Sequence, residues 1–121
     1  MKKSILLVAA YFTVTFCGAQ TVSPEEAAKH VGETITVCGK VFGGRFFETS
    51  KDAPTLLNVG AAFPSSPFTI MITKEVRQKM GNAPEIELKE KNVCVTGKVI
   101  LFKEKPEIVV EDSKQLTIEK L

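Results

Sequence analysis

The chain has one histidine, His30, and only two arginines, Arg45 and Arg77. A single histidine leaves no histidine pair for a metal, and the three cysteines form no C-x-x-C, so the usual zinc ligand sets are missing. His30 falls near the end of a short helical segment, where a cation suits the helix dipole or is simply exposed. The carboxylate pairs Glu25-Glu26 and Glu111-Asp112 fall at a helix start and a strand end. Both positions are solvated ones, with a weak calcium contact at Glu111-Asp112 as the alternative. These absences point to a non-enzyme with no metal and no cofactor. No low-complexity linker divides the chain. The longest apolar run, SILLVAAYFTVTF at 4–16, is short of the roughly 20 residues a membrane span needs.

What that run does have is a basic start, MKK, before it and the small residues of CGA after it. This is the layout of a secretory signal peptide occupying 1–19 and cleaved after Ala19. Lipidation of Cys17 and a retained anchor are the rival readings; bulky Phe16 before Cys17 disfavours the first. After cleavage no membrane span remains, and residues 20–121 form a single domain of about 100 residues with one modest core. The localisation expected is export, to the periplasm or beyond the cell. The formal charge of +2 comes from 16 basic and 14 acidic residues. Lys2 and Lys3 leave with the leader, so the mature chain is neutral. A neutral chain is not built to grip polyanions by bulk charge.

Along the mature chain, Ser23, Pro24 and Glu26 read as N-cap, first helical position and capping-box partner of a short helix that stops at Gly32. TITVCGKVFGGRFFET (34–49) alternates Ile35, Val37 and Val41 against polar residues, with glycines that bend the strand. TLLNVG (55–60) and FTIMIT (68–73) are further strands, separated by the turn-rich loop AAFPSSP. TKEVRQKMGN (73–82) is a helix between Thr73 as cap and Gly81 as stop, followed by the polar connection APEIELKEK. NVCVTGKVILF (92–102) and EIVVED (107–112) are the last strands, and SKQLTIEKL is a tail that pairs or packs through Leu116 and Ile118. The order is that of an all-β protein with short helices. It fits a five-stranded Greek-key barrel of the OB type, with an N-terminal helix and a helix between strands three and four.

VCGKV (37–41) and VCVTGKV (93–99) fall on strands one and four, which are antiparallel neighbours in that barrel. In each copy the valines flanking the cysteine share the inner face, and the cysteine points outward. Cys38 and Cys94 therefore meet across the two strands. A bond between them closes a long loop, which stabilises by about 4 kcal/mol in the chain-entropy model. The alternative is two unpaired thiols in similar local sequence.

The stretch VCGKVFGGRFFETSKDAPTLLNVGAAFPSSPFTIMI, with VCVTGKV and KPEIVVED, resembles a group of small exported bacterial OB-fold proteins described as nucleic-acid-binding by fold. The likeness runs over about residues 23–116. KPEIVV also resembles strand five of OB modules in DNA polymerase subunits and exonucleases, where the turn reads G-K-P-Q-I. Here Glu104 replaces that glycine and Glu107 the glutamine. The barrel nucleases of the thermonuclease family need arginines with a carboxylate cluster, which this chain does not carry. The resemblance implies a binding module whose ligand is single-stranded DNA or RNA. Its neutral charge leaves an envelope protein or an oligosaccharide as the alternative partner.

OB barrels bind on the face of strands two and three and the adjoining loops, and single-strand binders pair cations with aromatic platforms. KVFGGRFF supplies Lys40, Phe42, Arg45 and Phe47; Asn58, Phe68, Lys103 and Lys105 complete the expected groove. Consecutive strand residues point to opposite faces, so Phe46 and Phe47 cannot both line it. Packing of the phenylalanines at the barrel end is the competing reading.

Overall fold

The computed structural model describes residues 20–119. The leader and its cleavage site at 1–19, including Cys17, lie outside those residues. The strands are β1 (Thr21–Val22), β2 (Thr34–Phe46), β3 (Thr55–Val59), β4 (Phe68–Ile72), β5 (Asn92–Lys98), β6 (Ile100–Phe102), β7 (Lys105–Val110) and β8 (Leu116–Ile118). Two short α-helices, α1 (Lys74–Met80) and α2 (Pro84–Glu87), lie between β4 and β5, and a 3₁₀ helix covers Pro24–His30.

The chain is an OB-type barrel. The strands run β6-β7-β4-β3-β2-β5-β8, with β1 added in parallel to β2. β4 and β7 pair in parallel, and the other pairs along that path are antiparallel. Eight strands replace the five expected, for three local reasons. The residues before the 3₁₀ helix pair with Thr36 and Val37. The tail pairs with β5. NVCVTGKVILF breaks at Val99, whose carbonyl accepts from Gly32 N–H and whose own N–H donates to Glu33. Its first half stays with β2, and its second half crosses to β7.

That break leaves the ladder open, since β5 and β7 come together without pairing. Gln115 spans the seam. Its Nε2 donates to the carbonyls of Thr96 on β5 and Val109 on β7, both at 3.0 Å. Its Oε1 accepts from the N–H groups of Glu111 (2.8 Å) and Asp112 (3.0 Å). Gly97 permits the close approach, because a Cβ there would stand 2.7 Å from Ile108 Cγ2.

The core is aliphatic. Ile35, Val37, Val41, Leu57, Val59, Ile70, Ile72, Val93, Val95, Val99, Ile108 and Val110 are buried inside the barrel. Most are β-branched, as the half-buried surface of a pleated strand favours. Val37, Val93 and Val95 face inward as their alternation predicts, and Cys38 pairs directly with Cys94. The two cysteines are disulfide-bonded, with Cα atoms 4.0 Å apart. β2 bends at a bulge between Val41 and Gly43. The N-terminal helix differs from expectation. It is 3₁₀, and Ser23 caps through its backbone carbonyl to Glu26 N–H rather than by a capping box. Pro24 packs tightly against β2: a Cβ on Gly39 would meet its Cγ at 2.5 Å. α1 keeps its expected ends, since the Thr73 hydroxyl accepts from Val76 N–H and Gly81 closes the helix in a left-handed conformation. Among the described residues, no helix is long and apolar enough to cross a membrane.

Candidate functional site

Outward positions of β2 and β3 pair as Arg45 with Leu56 and Gly43 with Asn58. With no side chain at Gly43, where a Cβ would meet nothing within 4 Å, the sheet surface is recessed there. Arg45, Phe47, Leu56, Asn58 and Phe63 surround the recess, a groove of about 290 Å³. The Arg45 guanidinium lies over the Phe47 ring, 4.9 Å from its centroid. Phe63, in the loop 60–67 that links β3 to β4, is 75% exposed.

A chain of polar contacts fixes that loop to the sheet. Lys105 Nζ donates to Ser66 Oγ at 2.9 Å, and Ser66 donates to Asn58 Oδ1 at 3.1 Å. The three residues belong to β7, the loop and β3, so the contacts cross β4 and hold the groove's far wall. Beside them runs a row of outward residues, Asn58, Thr69, Glu107 and Ile100, one from each of β3, β4, β7 and β6. Glu107 is only 4% exposed, and its Oε1 has no hydrogen-bond partner. Burial pushes this carboxyl up from the ordinary 4.5 to about 7. A carboxylate there would lose water without gaining a donor, so the neutral acid is favoured.

The expected residues divide into those the structure brings together and those it does not. Arg45, Phe47 and Asn58 line one groove, and Lys105 braces it. Lys40 and Phe42 form a separate cation–ring pair at 5.2 Å, and Lys40 also pairs with Glu90 at 3.0 Å. Lys103 stands in the β6–β7 turn, 5.4 Å from the Phe102 ring. Phe68 is a correction. It is fully buried, because its β4 alternation with Ile70 and Ile72 directs it into the core, and it cannot meet a ligand. Phe46 and Phe47 divide between faces as consecutive strand positions must. Phe46 instead stacks under Arg77, 3.6 Å from ring centroid to guanidinium. Arg77 also donates to Glu85 at 2.6 Å and to Thr55 at 2.9 Å. Its hydrogen bonds, helped by its charge, hold the Glu85 carboxyl below the ordinary range, so this arginine is structural.

Phe63 and Ser66 stand at the groove and were passed over in the sequence, as was Phe102 beside Lys103, while Glu107 was noted there only as a departure from the G-K-P-Q-I turn. Phe63 carried a signal, since a large aromatic inside a turn-rich loop has no strand to bury it. Among the described residues, no three metal-ligating side chains of the His, Cys, Asp or Glu types converge. The arrangement is suited to holding a flat, partly charged ligand against rings and one guanidinium.

No family model and no curated protein matches the chain. Several solved structures share its fold. A chain from the crystal structure of yeast Stn1 and Ten1 superposes with a TM-score of 0.57 at 14% identity, over 85% of this chain and 64% of that one. A protein assigned as an aspartyl-tRNA synthetase from Leishmania major Friedlin superposes with a TM-score of 0.51 at 17% identity, over 94% of this chain and 24% of that one. This chain thus spans less than two thirds of each. At such identities the likeness is one of fold.

Proposed function

We propose that this protein is a non-enzymatic OB-fold module that binds single-stranded nucleic acid in the Arg45–Phe47–Asn58–Phe63 groove. The observation that carries the reading is the pairing of cations with rings, one pair in the groove and two outside it. Arg45 lies over Phe47, Lys40 over Phe42 and Lys103 over Phe102. The Arg45 and Lys103 pairs each offer a base a flat platform and a phosphate a counter-charge at the same place, whereas the Lys40 charge is met by Glu90. Phe63 adds an open platform at the groove's mouth. One of the proteins sharing the fold is a tRNA synthetase by its name, which is in keeping with a nucleic-acid ligand.

We also propose that the protein works outside the cytoplasm after cleavage behind Ala19. The Cys38–Cys94 bond supports this, because disulfides persist in oxidising compartments. Intact mass of the protein from its own host should correspond to a chain starting at Gln20. An envelope protein or oligosaccharide is the second reading. The exposed apolar run Ile100, Leu101 and Phe102 on the edge strand favours it.

Fluorescence anisotropy with single-stranded DNA, single-stranded RNA and labelled oligosaccharides decides between them. For nucleic acid, binding should be weak and tighten at low salt with a shallow slope of about −1.4 to −2.1, because only two or three phosphates are neutralised. Arg45→Ala should weaken binding and flatten that slope. Phe63→Ala should cost about 1–3 kcal/mol with the slope unchanged, the signature of a lost stacking platform. Phe63 is exposed, so its loss leaves the core intact. Absence of nucleic-acid binding at low salt, with the fold intact by circular dichroism, overturns the reading in favour of the second.

A further inference from the structure

Glu107 takes no part in the groove's contacts, and among the described residues its Oε1 is the buried side-chain oxygen or nitrogen atom left without a partner. It lies on the outer face of β7, in the same row as Asn58, which lines the groove. Its neighbours there bring no compensating charge. β4 offers Thr69 and Met71, β6 offers Ile100 and Phe102, and the loop 60–67 offers Ser66, none of which titrates in the neutral range. The nearby cation on its own strand is Lys105, whose Nζ is committed to Ser66. Lys103 and Glu104 stand in the turn before it. The 3₁₀ helix touches β7 and buries Pro24 and Ala27, while its Glu25, Glu26 and Lys29 are exposed and His30 pairs with Glu33.

We propose that a polyanionic strand binds this face together with one proton, which Glu107 takes up from solvent. The proposal rests on the nucleic-acid reading of the groove. With Glu107 neutral, the face presents Arg45 to a phosphate, Lys105 holds Ser66, and no ionised carboxylate stands in the row with Asn58, Thr69 and Ile100. With Glu107 ionised, a negative charge stands in the row beside Asn58. A buried charge is poorly screened by salt, so it repels the strand even when surface charges do not. It also draws on Lys105, the cation that pins Ser66 to the sheet, and so loosens the groove's far wall. Ligand and proton therefore favour one another, and by linkage each raises the affinity for the other. The proton ends on a carboxyl oxygen; no other bond forms or breaks.

The free carboxyl changes state at about pH 7. Affinity should be level below that pH and fall above it, by roughly tenfold between pH 6 and pH 8 for one linked proton. Anisotropy with a labelled 15-nucleotide oligothymidylate at fixed low salt reads this directly, since thymine does not titrate in that range. The wild-type chain should show the fall. Glu107→Gln should hold the pH 6 affinity throughout, and Lys105→Met should bind more weakly while keeping the pH slope. Carbon-detected NMR of the wild-type carboxyls gives a second measure that needs no variant to fold: the Glu107 midpoint should rise when the oligonucleotide is added. Binding that is measurable but independent of pH overturns the coupling alone, as does a slope that survives Glu107→Gln. No binding at any pH overturns the groove reading and the coupling with it.

Discussion

Replacing Gln115 by alanine removes four hydrogen bonds made by one side chain. Two of them, to the N–H groups of Glu111 and Asp112, lie at the surface, where water replaces them at little cost. The other two hold the carbonyls of Thr96 and Val109 at a part-buried seam that no ladder closes. At about 1 kcal/mol for each seam bond, with up to about 1 kcal/mol more for the lost cap, the change should cost about 2–3 kcal/mol. For a domain of this size that lowers the melting temperature by roughly 10–20 °C. Thermal and urea unfolding followed by circular dichroism measure both quantities. Gln115→Glu separates the two roles of the side chain. A carboxylate caps the Glu111 and Asp112 N–H groups at least as well as the amide does, but it turns an oxygen toward two carbonyl oxygens. If the seam is what matters, Gln115→Glu should be as unstable as Gln115→Ala or worse. A glutamate variant as stable as wild type, or an alanine variant losing under about 0.5 kcal/mol, would refute the stitching argument.

Two further predictions concern β7 and its turn. The folded chain keeps the Glu107 proton up to about pH 7, whereas the unfolded chain releases it near 4.5. Stability is therefore fully present below pH 4.5 as regards this group and falls as the pH rises to 7, by on the order of 3 kcal/mol. Urea titrations across that range should show the fall in wild type and its loss in Glu107→Gln, with the variant more stable at pH 8. Lys103 and Glu104 hold positive φ of 52° and 67° in the tight β6–β7 turn. A glycine tolerates that conformation freely, so Glu104→Gly should raise stability by about 0.5–1 kcal/mol, read as a higher urea midpoint with unchanged slope.

Much of the barrel was legible because one property repeated at one period. Ile35, Val37 and Val41, then Val93 and Val95, alternate with polar residues, and that rhythm allows only one face to be buried. It also brought Cys38 opposite Cys94. Phe68 shows where the rhythm fails. FTIMIT is apolar at Phe68, Ile70, Met71 and Ile72, so either phase could have been the inner one, and only packing chose. The division of NVCVTGKVILF at Val99 was illegible for another reason. It depends on backbone bonds to Gly32 and Glu33, residues about 65 positions away in the chain. That Arg45 and Asn58 share a face was legible because the strands that carry them were, and Phe47 follows directly on β2. The burial of Glu107 was illegible because it depends on β4 and β6 flanking β7, which no local pattern encodes.

The bond between Cys38 and Cys94 makes a covalent ring of everything between them. β3, β4, both α-helices, the loop 47–54 and the loop 60–67 that bears Phe63 all lie on that ring. A protease that cuts once anywhere in it opens a circle rather than severing a line, so the two pieces remain one molecule with the groove's strands still tethered side by side. The exposed loops that present the rings to a ligand are also the segments a protease would reach first. The chain thus exposes for binding a region in which a single break does not divide it.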